Sequence, residues 1–153
     1  MDWKIITNSN EVSGGLDIIL TPKNEVLRFS ILQFKPINLV ELLNNILNSE
    51  TAGIEYATIY NLKEMDWEDK AWAKRVKGNE LKEGELFLVH DITGEAIIEE
   101  NIFCKILYDY CKVLLGVHKE DKDLPQEWFL KMEESLVNLK QKIDIENPDT
   151  RSL

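Results

Sequence analysis

Hydrophobic and polar positions follow a two-residue period early in the chain and a three-to-four-residue period late. Trp3 to Thr7 and Leu16 to Leu20 are short segments rich in β-branched residues, parted by the turn signal Ser13-Gly14-Gly15. In Val26 to Phe34, the residues Leu27, Phe29 and Ile31 alternate with Arg28, Ser30 and Leu32, which predicts a third strand. The connection Thr21-Pro22-Lys23-Asn24 predicts an antiparallel hairpin before it. After Pro36, Leu39, Leu42, Leu43, Ile46 and Leu47 recur at helical spacing, with Asn38 as the expected N-cap and Gly53 as the stop. Ile54 to Leu62 alternates again and predicts one strand. Lys63 to Val76 runs from acidic to basic, the order favoured by a helix dipole, with Asp66 as the expected N-cap. Glu85 to Ile92 predicts a strand closed by Thr93-Gly94.

The strongest periodicity comes next. Ile97, Ile98, Ile102, Phe103, Ile106, Leu107, Tyr110, Leu114 and Leu115 predict an amphipathic helix of about five turns, stopping near Gly116. Leu124-Pro125 opens a last helix, with Trp128, Met132, Leu136, Leu139 and Ile143 on its buried side and Asn147-Pro148 breaking it. The order β-β-β-α-β-α-β-α-α, with hairpin-like links between the first strands, predicts an α+β fold. It has a mainly antiparallel sheet, helices packed on one face and two C-terminal helices. Residues 1–147 are expected to form a single domain and 148–153 a frayed tail.

Charge adds a functional constraint to this frame. The net charge is −10, and residues 41–100 hold fourteen acids against six bases, a net of −8. The flanking parts are balanced (1–40) or nearly so (101–153, net −2). Such a localised field repels nucleic acid and anionic membranes and attracts basic partners. The best basic run, Lys74-Arg75-x-Lys77, is flanked by Glu80, Glu83 and Glu85, so a nucleic-acid footprint is not expected. The N-terminal segment lacks the pattern of a secretory signal, and no apolar run reaches the ~20 residues of a membrane span. A cytoplasmic protein with no membrane contact is expected. Cys104 and Cys111 stand seven residues apart on the expected helix, roughly 10 Å between Cα atoms, too far for a disulfide, so reduced buried thiols are expected.

Few residues point to chemistry. There is no G-x-S-x-G, P-loop or G-x-G-x-x-G, and His90 and His118 are not spaced as zinc ligands with either cysteine. No catalytic residue, metal or cofactor is expected. His90-Asp91, at a strand end, is the best enzyme-like pair, although neighbours in a strand point to opposite faces. A small enzyme using His90 with a carboxylate is therefore the alternative function; it requires His90 to line a concave pocket. A homo-oligomeric structural subunit is a further alternative.

Segment 64–72 mixes acids with Met65, Trp67 and Trp72, side chains favoured at interfaces. Five residues apart on a helix, the two tryptophans lie about 140° apart, so at least one should be partly exposed. A partner-binding surface of Glu64, Asp66, Trp67, Glu68, Asp69 and Trp72, with Asp91 and Glu95 as further acids, is expected to engage a basic protein. Small, acidic, motif-free and single-domain, the chain resembles the immunity proteins of bacterial toxin–immunity systems. That resemblance covers the character of the whole chain. It implies a partner that is a basic toxin domain, bound and neutralised through charge complementarity.

Overall fold

The computed structural model describes residues 1–8 and 14–146. Two strands, β1 (Asp2–Thr7) and β2 (Leu16–Thr21), pair antiparallel with Trp3 opposite Leu20 and Ile5 opposite Ile18. Helix α1 (Glu25–Leu32) follows, then a 3₁₀ turn (Pro36–Asn38) and α2 (Leu39–Leu47). A four-stranded antiparallel sheet comes next, ordered β3 (Ala52–Ile54), β4 (Ala57–Asn61), β5 (Glu85–His90), β6 (Gly94–Glu99). Helix α3 (Trp67–Lys77) is inserted between β4 and β5, and α4 (Glu100–Val117) and α5 (Gln126–Glu146) close the chain. The fold is α+β with antiparallel sheets and two C-terminal helices. None of the described helices is long and apolar enough to cross a membrane.

Strand alternation divides the four-stranded sheet into two environments. Ile59, Leu86, Leu88 and Ile98 face the main core, where they meet β2, α1, α2, α4 and α5. Phe87, with Tyr60, Val89 and Ile97 around it, faces the other way into a small cluster with Met65, Ala73 and Leu81. Helix α3, with Met65 before it and Leu81 after it, covers that second face, whereas the other described α-helices share the main core.

Indole hydrogen bonds fasten the outer layers to this core. Trp3 Nε1 donates to Asp109 Oδ2 at 2.7 Å, tying β1 to α4. Trp128 Nε1 donates to the Pro36 carbonyl at 2.7 Å, tying α5 to the 3₁₀ turn. Between β2 and α1, Arg28 grips both oxygens of Asp17 at 2.8 Å while also reaching Glu25 at 2.9 Å. The guanidinium holds the Asp17 carboxyl below its usual range, against the opposing effect of burial.

Several expected elements differ. Val26–Phe34 is not a strand: Glu25–Leu32 is helical, started by Asn24, whose side chain accepts from Leu27 N at 3.0 Å. The alternation misleads because Ser30 is a core position; its hydroxyl donates to the Val26 carbonyl at 2.6 Å and needs no solvent. Ile54–Leu62 is two strands, folded at Glu55-Tyr56 so that Ile54 pairs with Ala57. Gly53 lies in β3, not at a helix end; α2 stops at Leu47, and Ser49 takes the left-handed conformation with φ of 56°. Asn38 precedes α2 without a side-chain cap bond. Ile97 and Ile98 belong to β6 rather than to the long helix, one facing each side of the sheet, and α4 begins at Glu100. Thr93-Gly94 is accordingly part of a hairpin, with Gly94 at φ of 107°. Gly116 does not stop α4, which runs to Val117. The break at Asn147-Pro148 and the tail 148–153 lie outside the described residues.

Candidate functional site

Helix α3 is fixed at both ends by its own sequence. At its start Asp69 N donates to Asp66 Oδ1 at 2.8 Å and Asp66 N donates to Asp69 Oδ2 at 3.4 Å, a reciprocal capping box. Its end is Gly78, left-handed at φ of 92°, whose N–H donates to the Lys74 carbonyl at 2.8 Å. Glu68 and Asp69 in the first turn and Lys74, Arg75 and Lys77 in the last suit the helix dipole. Lys77 is held by Glu85 at 2.6 Å, which draws the Glu85 carboxyl below its usual range despite burial.

The two tryptophans of α3 have opposite fates. Trp72 packs edge-on to Phe87 at 5.3 Å and to Tyr60 at 6.4 Å, and its Nε1 donates to Glu95 Oε1 at 3.3 Å. Trp67 is 77% exposed. Trp3, Trp72 and Trp128 each give their indole N–H to a protein acceptor, but Trp67 has none among the described residues. Trp67 therefore presents most of its ring, and its indole N–H, to solvent.

The expected surface residues are brought together unevenly. Asp66, Trp67, Glu68 and Asp69 form the first turn of α3 and its cap. Glu95 joins them through the Trp72 hydrogen bond, on the sheet face that α3 covers. Glu64, in the 3₁₀ turn before α3, instead reaches back to accept from the Thr51 N–H. Asp91 lies at the tip of the β5–β6 hairpin, where its N–H donates to the Tyr56 carbonyl at 2.9 Å; its side chain makes no bond to α3 among the described residues.

Three neighbours of this surface were not among the expected residues. Ile92, at the same hairpin tip, is 81% exposed, and Tyr56 beside it is exposed as well. Tyr60 stacks on Phe87 at 5.7 Å under α3. Burial first, then the charges of Asp69 and Asp66, push its phenol above the usual value, so the acidic field reaches the sheet. Tyr56 and Tyr60 fall in the alternating run that pointed to a strand, but which of them would be uncovered depends on the turn at Glu55-Tyr56.

His90 lies between the β5–β6 hairpin and α1. Its ring is buried, stacked on Phe29 of α1 at 5.5 Å between centroids. Nε2 meets Gln33 Oε1 at 3.3 Å, and Nδ1 accepts from the N–H groups of Ile92 and Thr93 at 3.4 and 3.3 Å. The ring therefore braces the hairpin against α1, and Asp91 is turned to solvent. His118 is also structural: its Nε2 donates to the Gly14 carbonyl at 2.6 Å, and Nδ1 faces Asp121 Oδ2 at 3.0 Å. Cys104 and Cys111 are buried within α4, and burial pushes the Cys111 thiol upward. Among the described residues no three His, Cys, Asp or Glu side chains gather as a metal site would need. Compared with family models, with curated proteins and with solved structures, the chain matches none of them.

Proposed function

We propose that this chain is an immunity protein, a cytoplasmic binding module that engages and neutralises a basic toxin domain through the start of α3. The observation that carries the reading is Trp67: 77% exposed, without a hydrogen-bond partner among the described residues, and set between Asp66 and Glu68 on a capped helix. A large exposed aromatic ring on a helix turn that also carries three acids has the composition of an interface anchor for a cationic surface. Glu95, bonded to Trp72, extends the acidic rim, and Asp91 adds an acid at the hairpin tip. Ile92 and Tyr56 add apolar area beside Asp91. The acids speed encounter with Lys and Arg of the partner, and Trp67 supplies the desolvated contact.

The partner to test first is the product of the neighbouring reading frame. Expressed alone it should arrest growth, and co-expression of this chain should restore growth. Glu68→Lys combined with Trp67→Ala should abolish the rescue while leaving the far-UV circular dichroism unchanged. A non-toxic neighbour, or rescue that persists in the double variant, overturns the proposal.

A further inference from the structure

A second surface lies away from α3, between the two C-terminal helices. Helices α4 and α5 run antiparallel, as the Glu100–Lys142 ion pair at 3.0 Å and the Lys140 ammonium 5.8 Å above the Tyr108 ring require. Their outer sides leave a groove of about 620 Å³. Its floor is apolar, with Leu115 from α4 and Phe129 and Val137 from α5. From Phe129 to Gln141 it extends roughly 18 Å along α5, three turns of helix. Val137 is 59% exposed, so this floor is open to solvent.

The rim has a charge opposite to that of the molecule. The charged residues lining the groove are Lys112, Lys119, Lys140 and Glu133, a net of +2 in a chain of −10. Among the described residues Lys112 and Lys119 have no carboxylate partner, and the one carboxylate that Lys140 meets is Asp144, at 3.5 Å. Lys105, one heptad before Lys112, lies on the same side of α4 in an adjoining hollow that also holds Asp109 and Asp144.

We infer that this groove binds an acidic amphipathic helix of a partner protein, its apolar side on Leu115, Phe129 and Val137 and its flanking carboxylates on Lys112, Lys119 and Lys140. Two antiparallel helices with an open apolar seam accept a third by ordinary helix packing. The charge decides which third helix. A basic segment would be repelled by the lysine rim. A second copy joined through the same groove by two-fold symmetry would set lysine rim against lysine rim. An acidic helix satisfies both the floor and the rim.

The test uses the full chain and two fluorescein-labelled peptides of about 16 residues, both helical with leucines at i, i+4, i+7 and i+11. One is flanked by glutamates and the other by lysines, and binding is followed by fluorescence anisotropy. The glutamate peptide should bind at least about tenfold more tightly than the lysine peptide. Lys112→Glu with Lys119→Glu should reverse that preference, and Val137→Arg should abolish binding of both. All three positions are exposed, so the fold should persist. Glu68→Lys should change nothing, which separates this groove from the α3 surface. Equal binding of the two peptides, no binding of the glutamate peptide, or an unchanged preference in the double variant overturns the inference. So does a dimer of the chain alone, seen by sedimentation, that Val137→Arg disperses, because a second copy would then be the occupant.

Discussion

Replacing Trp67 and Trp72 one at a time by alanine separates a residue that serves a partner from one that serves the fold. Trp67 hides roughly 50 Å² of the about 200 Å² a tryptophan can bury, given its 77% exposure. At about 25 cal/mol per Å² that burial contributes on the order of 1 kcal/mol. Alanine's higher helix propensity returns up to about 0.5 kcal/mol of it. Trp67→Ala should therefore cost less than about 1 kcal/mol. Trp72→Ala removes the edge-on contacts to Phe87 and Tyr60 and the bond to Glu95 from a cluster with four buried members among the described residues, and should cost about 3 kcal/mol. Equilibrium urea unfolding followed by far-UV circular dichroism reads both values without depending on the fluorescence of the removed ring. In the same pair, Trp67→Ala should weaken partner binding by at least about 2 kcal/mol, roughly thirtyfold in Kd. If Trp67→Ala destabilises as much as Trp72→Ala, Trp67 is a packing residue and the anchor argument fails.

Two further outcomes test the frame that carries these surfaces. Asp17 is more acidic in the folded chain than its ordinary value of 3.8, chiefly because of Arg28, so the folded state takes up its proton less readily than the unfolded state. Its contribution is present above that ordinary value and is lost as pH falls through the lower folded value. Asp17→Asn should therefore lower stability by about 1–3 kcal/mol at neutral pH and flatten the acid limb of a urea-midpoint titration; an unchanged limb would refute the pairing. Gly14 has φ of 72°, and a Cβ there would stand 2.6 Å from Pro36 Cγ and 2.9 Å from His118 Nε2, whereas at Gly78, φ of 92°, a Cβ would meet nothing within 4 Å. Gly78→Ala should cost about 1 kcal/mol from backbone strain alone and Gly14→Ala about 2–4 kcal/mol by thermal unfolding, so equal costs would exclude close packing at Gly14.

Where a single period dominated, the sequence was readable. Leu39 to Leu47 and Ile102 to Leu115 have one apolar face and one solvent face, and both are helices. Asp66 was legible as a cap because an acid before a dipole-ordered run has a local geometric consequence. Val26 to Phe34 was not, because most of its side chains are buried, and a helix covered on most sides loses the contrast from which periodicity is read. Ile97-Ile98 reads as part of the helix that follows because two adjacent apolar residues fit either period; their place in β6 depends on β5, which pairs with both. At the candidate site, the exposure of one tryptophan followed from the helical angle between the pair. Which one it is depends on Phe87 and Tyr60, brought in from other strands. Ile92 and Tyr56 had no local signal, since their exposure comes from the ends of hairpins. The lysine stripe of α4 was hidden by the acidic total of the chain.

The capping box has a consequence for recognition as well as for the helix. Asp66 and Asp69 each give one carboxylate oxygen to the other's backbone N–H, which leaves Asp66 Oδ2 and Asp69 Oδ1 outside the box. Those two oxygens are held at a spacing set by the backbone rather than by free rotation about χ1. An arginine or lysine arriving from a partner would meet acceptors already in place, and little side-chain entropy would be lost on contact. The atoms that begin the helix would thus also set the geometry in which its negative charge is offered.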